Sequence, residues 1–123
     1  MKTEVCASGA KWEIHFCVRE NGECPVRTFL ESLEADEQHA FHARFDRMVE
    51  GPSFAPSNTF KALRHVSNVF EVLTHKYRVL GFRDGRRLIL TNGFKKTRNE
   101  TPPKEIQKCE SIREQYGSDV KKA

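Results

Sequence analysis

The chain has 123 residues and a mass of 14.2 kDa, with 37% apolar and 31% charged residues and 9 Phe, a balance that suits one folded domain rather than a disordered chain. Its apolar runs are too short for a bilayer, and the start, Met1-Lys2-Thr3-Glu4-Val5-Cys6-Ala7-Ser8, lacks the apolar stretch of a secretory leader. The formal charge of +4 hides an asymmetry: residues 1–59 carry 6 basic and 10 acidic groups, residues 60–123 carry 15 and 7, which points to a polyanionic partner for the second half. The four cysteines, at 6, 17, 24 and 109, form no C-x-x-C pair. Their spacing suits neither a zinc site nor a disulfide framework, so reduced thiols in a cytoplasmic, cofactor-free and metal-free protein are expected.

Lys11 to Cys17 alternates, with Trp12, Ile14 and Phe16 on one side and Glu13 and His15 on the other, which predicts a strand with one buried face. Asn21-Gly22 breaks the chain and Pro25 opens a helix, on which Val26, Phe29, Leu30 and Leu33 make an apolar stripe. A second helix is expected from a cap at Asp36, with Phe41, Phe45, Met48 and Val49 facing inward, and Gly51-Pro52 ends it. The segment 51–58 reads as a loop. Strands are expected near Phe60–Arg64, Val69–Leu73, Tyr77–Arg83 and Arg87–Thr91, the last two joined by a tight Asp84-Gly85 turn. Thr101-Pro102-Pro103 opens a last helix with Ile106, Cys109, Ile112 or Arg113, and Tyr116 on one side, which Gly117 closes. The expected fold class is α+β in the order β-α-α-β-β-β-α with an extra short strand. An antiparallel twisted sheet takes its helices on one face, in a single domain with its core at about 11–117.

Between Thr74 and Arg98 lie Lys76, Arg78, Arg83, Arg86, Arg87, Lys95, Lys96 and Arg98, opposed by Asp84 alone. If the strands pair as hairpins, the ends near Lys76–Arg78 and Lys95–Arg98 approach one another. Such a cluster suits a phosphodiester, since a guanidinium grips two phosphate oxygens and lysines add point charges. The plainer reading is a solvated basic face. Phe94 is either a stacking platform for a base or a core residue. His75, beside Lys76, is either a general base or an exposed loop histidine. Glu71 is a structural counter-charge inside the basic cluster, a partner that orients Arg78, or an exposed strand residue. Arg78 alternates onto the side of Leu80 and Phe82, so its charge has to sit at a sheet end or in a groove.

The run Val69-Phe70-Glu71-Val72-Leu73, Tyr77-Arg78-Val79-Leu80-Gly81-Phe82, Leu88-Ile89-Leu90-Thr91-Asn92-Gly93-Phe94-Lys95-Lys96-Thr97 and Thr101-Pro102-Pro103-Lys104-Glu105-Ile106 resembles the RelE/ParE toxin superfamily in its phage-related HigB-like branch. The resemblance implies a RelE-like fold and a toxin that cleaves mRNA in the ribosomal A site. It also implies neutralisation by a cognate helix-turn-helix, HigA-like antitoxin, without membrane or cofactor. By the same resemblance Arg78 contacts the scissile phosphate and Lys95 and Lys96 form the basic pair after the last strand. His75 joins them as a candidate catalytic group, and Lys76, Arg83, Arg86, Arg87, Phe94 and Arg98 are candidate RNA contacts. The chain departs from the pattern at Asn92, where many relatives carry His, at Leu73, where many carry a basic residue, at Glu100, where lysine is common, and in having no tyrosine between Lys95-Lys96 and the last helix. Two other readings stay open: a ParE-like inhibitor of gyrase, and an inactive prophage remnant that only binds its antitoxin.

Overall fold

A computed structural model describes residues 1–51, 60–63 and 66–122, with the side chains of 60 and 119–122 left aside. The loop expected at 51–58 and the end of the strand expected at Phe60–Arg64 fall largely outside the described residues. In chain order the elements are β1 (Lys2–Ser8), β2 (Glu13–Val18), α1 (Pro25–Glu31), α2 (Ala35–Glu50), β3 (Phe60–Ala62), β4 (Val69–Leu73), β5 (Tyr77–Asp84), β6 (Arg87–Lys95) and α3 (Pro103–Lys122). The strands form one six-stranded sheet ordered β1-β2-β6-β5-β4-β3. The α+β class holds. Three features of the expected arrangement do not.

First, β1 adds an N-terminal strand, antiparallel to β2. Second, the sheet is mixed, because β2 runs parallel to β6 with Glu13 opposite Arg87 and Phe16 opposite Leu90. Third, the helices lie on both faces. On one, α1 and α2 deliver Val26, Leu30, Phe41, Phe45 and Val49 to Ile14, Phe16, Phe70, Val72, Val79, Leu88 and Leu90. On the other, Ile112 and Tyr116 of α3 cover Cys17, Phe82 and Ile89, and Cys109 covers Val69 and Leu80. The reason is visible in the strands themselves. All five residues of β4 are buried, as are the middle residues of β5 and β6, and a strand apolar on both sides needs a layer on each.

The second layer also explains β2. His15, on the side expected to be polar and open, is only 4% exposed. Its Nδ1 meets Thr3 Oγ1 and its Nε2 meets Glu13 Oε1, each at 2.9 Å. Cys17 on that side is fully buried and its thiol reaches Met1 Sδ at 3.0 Å.

Local signals were followed with small shifts. Pro25 is the first residue of α1. Glu34, not Asp36, stands at the N-cap of α2, while Asp36 and Glu37 occupy its first turn, where carboxylates face the positive helix end. Gly85 takes φ +61 inside the β5–β6 hairpin, closed by the Asp84–Arg87 pair. Gly117 does not end α3, which continues to Lys122. Strand β6 runs four residues beyond Thr91, so Gly93, Phe94 and Lys95 belong to the sheet and not to a loop.

Candidate functional site

The hairpin register decides which cations can meet. Tyr77 lies opposite Lys95 and Arg78 opposite Phe94, and the Lys96 N–H donates to the Lys76 carbonyl at 2.8 Å. Lys76, Arg78, Lys95 and Lys96 therefore gather at one end of the β5–β6 ladder. Side chains alternate along a strand, so Arg78 and Lys96 share the α3 face, while Lys95 flanks the strand end on the α1 face beside Tyr77. Arg83, Arg86 and Arg87 lie at the turn end, roughly 20 Å away at about 3.3 Å per residue. Seven of the eight cations thus form two groups, not one, and Arg98 lies beyond the end of β6.

Those at the turn end are engaged locally. The Arg83 guanidinium lies 4.6 Å above the Trp12 ring and its Nε donates to the Gly85 carbonyl. Arg86 donates from Nη2 to the Gly9 carbonyl at 3.2 Å and from Nε toward that of Lys11 at 3.4 Å. The Tyr116 hydroxyl donates to Asp84 Oδ2 at 2.5 Å. Burial, and then the neighbouring Asp84 carboxylate, push the Tyr116 phenol up, while Arg87 pulls it down.

At the open end Arg78 stands apart from the exposed Lys76, Lys95 and Lys96, being only 8% exposed. Its Nη1 donates to the carbonyls of Thr74 at 2.6 Å and Tyr77 at 2.8 Å, and no carboxylate among the described residues pairs with it. The expected partner, Glu71, is itself buried and spends its carboxylate elsewhere: Thr101 Oγ1 donates at 2.8 Å and Lys61 Nζ lies at 3.3 Å. Glu71 is thus a counter-charge, to Lys61, and neither an exposed strand residue nor the group that orients Arg78. The turn that supplies the Thr74 carbonyl also carries the exposed His75. Phe94 is half-buried against the cluster of Val69, Leu80 and Cys109, and Arg98 is exposed between β6 and α3.

Asn92, the departure noted in sequence, is 3% exposed and ties the sheet to α3. Its Nδ2 donates to both the carbonyl and Oε1 of Glu105 at 3.2 Å, and its Oδ1 accepts from Thr91 Oγ1 at 2.6 Å. Its polar atoms hold a helix in place.

Sequence reasoning missed a groove of about 790 Å³ between α1 and α3, beside the end of β6. Arg19, Lys104 and Lys108 line it with one acid, Glu23, and Phe29 and Ile112 supply apolar walls over Asn92 and Gly93. The i, i+4 spacing of Lys104 and Lys108 was a legible sign of a shared helix face. Arg19 gave no such sign, because only the parallel β2–β6 pairing brings it there.

One end of the sheet of this small α+β protein thus carries a nearly buried arginine, with no carboxylate partner among the described residues, and three exposed lysines. Residues 28–114 match the family described as Phage derived protein Gp49-like (DUF891), and the chain belongs to that family. It is a phage-derived family of toxins from toxin–antitoxin modules, within the RelE/HigB-type group. No curated protein matches the chain. No helix among the described residues is long and apolar enough to cross a membrane.

Proposed function

We propose that the protein is the HigB-like toxin of a pair whose antitoxin carries a helix-turn-helix, and that it cleaves mRNA on the ribosome. The observation that carries this reading is the state of Arg78. A guanidinium 8% exposed and held by two carbonyls, with no carboxylate partner among the described residues, has little solvation to offset its charge, a costly condition that a bound phosphate relieves. Its two internal bonds occupy Nη1, which leaves the other N–H groups of the fork for phosphate oxygens.

In this reading the RNA 2′-hydroxyl attacks the adjacent phosphorus in line. Its proton passes to a base, for which Lys95 and His75 are the candidates, and the departing 5′-oxygen takes up a proton. The products are a cyclic phosphate and a free 5′-hydroxyl. Arg78 and Lys96, on one face of the strand end, stabilise the extra negative charge of the phosphorane, commonly the largest contribution in such reactions. The ribosome contributes orientation, which substitutes for much side-chain chemistry.

The test is induced expression of the wild type beside Arg78→Ala and Arg78→Lys, with mRNA 5′-ends mapped. Cuts at fixed codon positions are expected, reduced about 10²–10³-fold in Arg78→Ala. An antitoxin-binding assay on the same variants separates lost chemistry from lost folding. Equal cutting by wild type and Arg78→Ala overturns the reading. DNA damage with translation intact points instead to gyrase, and unimpaired growth points to an inactive remnant.

A further inference from the structure

The groove between α1 and α3 takes no part in the cleavage scheme, yet its composition is specific. Three cations reach it from separate places: Arg19 from just past β2, and Lys104 and Lys108 from successive turns of α3. Lys108 has an internal partner in Glu105 at 3.6 Å, but its side chain stays 62% exposed. Phe29 forms an aromatic wall, held edge-on against Tyr77 at 5.9 Å and Phe41 at 6.4 Å between ring centroids. The floor includes Gly93, and Lys95 follows on the same strand face about 7 Å further on, two residues at about 3.3 Å each.

We propose that this groove seats a nucleotide of single-stranded RNA, its base against Phe29 and its phosphates on Lys104 and Lys108; where that nucleotide flanks the cut link, the proposal rests on the cleavage reading above. Aromatic rings accept any base face, and lysines track the backbone without reading sequence. The volume falls within the range of small-ligand sites, about 300–1,000 Å³. An acidic amphipathic helix needs a continuous apolar stripe, whereas the walls here offer Phe29 and Ile112 with cations and polar groups between them. Continuity with Lys95 also favours RNA, because one extended strand can occupy the groove and the cationic sheet end together.

The probe is a fluorescein-labelled single-stranded oligoribonucleotide with one 2′-deoxy position at the cut link, titrated against the full chain by anisotropy. Thr28→Trp and Ser111→Trp fill the groove from its exposed rim, and Lys104→Ala with Lys108→Ala removes its charge. Each change is expected to weaken binding tenfold or more. The lysine pair is also expected to lower the salt slope by about 1.4, at about 0.7 per phosphate contact. In mapped cuts, Thr28→Trp is expected to alter the nucleotide preference beside the cut. Wild-type affinity, salt slope and preference in all of these variants overturn the proposal, as does protection of the groove by an acidic peptide but not by RNA. If the wild type binds through the groove yet cuts no mRNA, the cleavage reading fails while the groove assignment stands.

Discussion

Gly93→Ala isolates one packing contact. A Cβ at Gly93 would lie 2.3, 2.5 and 2.8 Å from three carbons of the Phe29 ring, where ordinary contact begins near 3.4 Å. The ring must therefore move by about 1 Å, against Tyr77 on one side and Phe41 on the other. Overpacking of this kind costs about 1–3 kcal/mol. At about 3–5 °C per kcal/mol for a chain of this length, the melting temperature falls by roughly 3–15 °C. Urea denaturation followed by circular dichroism reads the same change as a lower midpoint at unchanged slope. A double-mutant cycle with Phe29→Leu makes the cause explicit. Without the ring, Gly93→Ala is expected to cost less than about 0.5 kcal/mol, giving a coupling of about 0.5–3 kcal/mol. A neutral Gly93→Ala, or additive costs in the double variant, refutes the idea that the ring keeps this position glycine.

Two further outcomes follow from buried polar groups. Asn92→Leu removes the amide that donates to Glu105 at both its carbonyl and its carboxylate; Lys108 still faces that carboxylate, and the two lost buried hydrogen bonds are expected to cost about 1–3 kcal/mol, read as an earlier urea midpoint, whereas an unshifted midpoint would mean that α3 is held by its apolar contacts alone. At alkaline pH, burial pushes the Cys17 thiol up to about 12 and the Cys109 thiol up to about 11, both from 9.0. The unfolded thiols ionise first, so stability is complete below pH 9 and declines as pH rises toward the folded values, by at most about 1.4 kcal/mol per pH unit for each thiol. Cys109→Ala should show a shallower decline in urea midpoints measured between pH 8 and 11, and an identical decline counts against the assignment.

Local patterns in the chain were enough to locate most elements and to single out Arg78. The short runs rich in β-branched and aromatic residues at Val69–Leu73 and Tyr77–Arg83, the Pro25 helix start and the Asp84-Gly85 turn depend on neighbours a few residues away, and the structure follows them. The sequence also carried the family resemblance through residues of those same strands, and the match over 28–114 spans them. It could not disclose the length of β6, because Gly93 has poor strand propensity and is held in the sheet by the ladder to β5, with the Phe29 ring filling its side-chain space. Nor could it place α3 against the second face, or show that Glu71 belongs to Thr101 and Lys61 rather than to Arg78.

What the order of residues determined alone was therefore the set of strands from β4 to β6, the helical hairpin, the polarity of the second half and the identity of the cations. Which of those cations meet was a tertiary decision. Antiparallel pairing separates Lys76, Arg78, Lys95 and Lys96 from Arg83, Arg86 and Arg87 by the length of a strand, and the parallel β2–β6 contact brings Arg19 to the foot of α3. The physical reason is range: periodicity and turn chemistry act over a few residues, whereas register and layer order are set by burying both faces of one sheet at once.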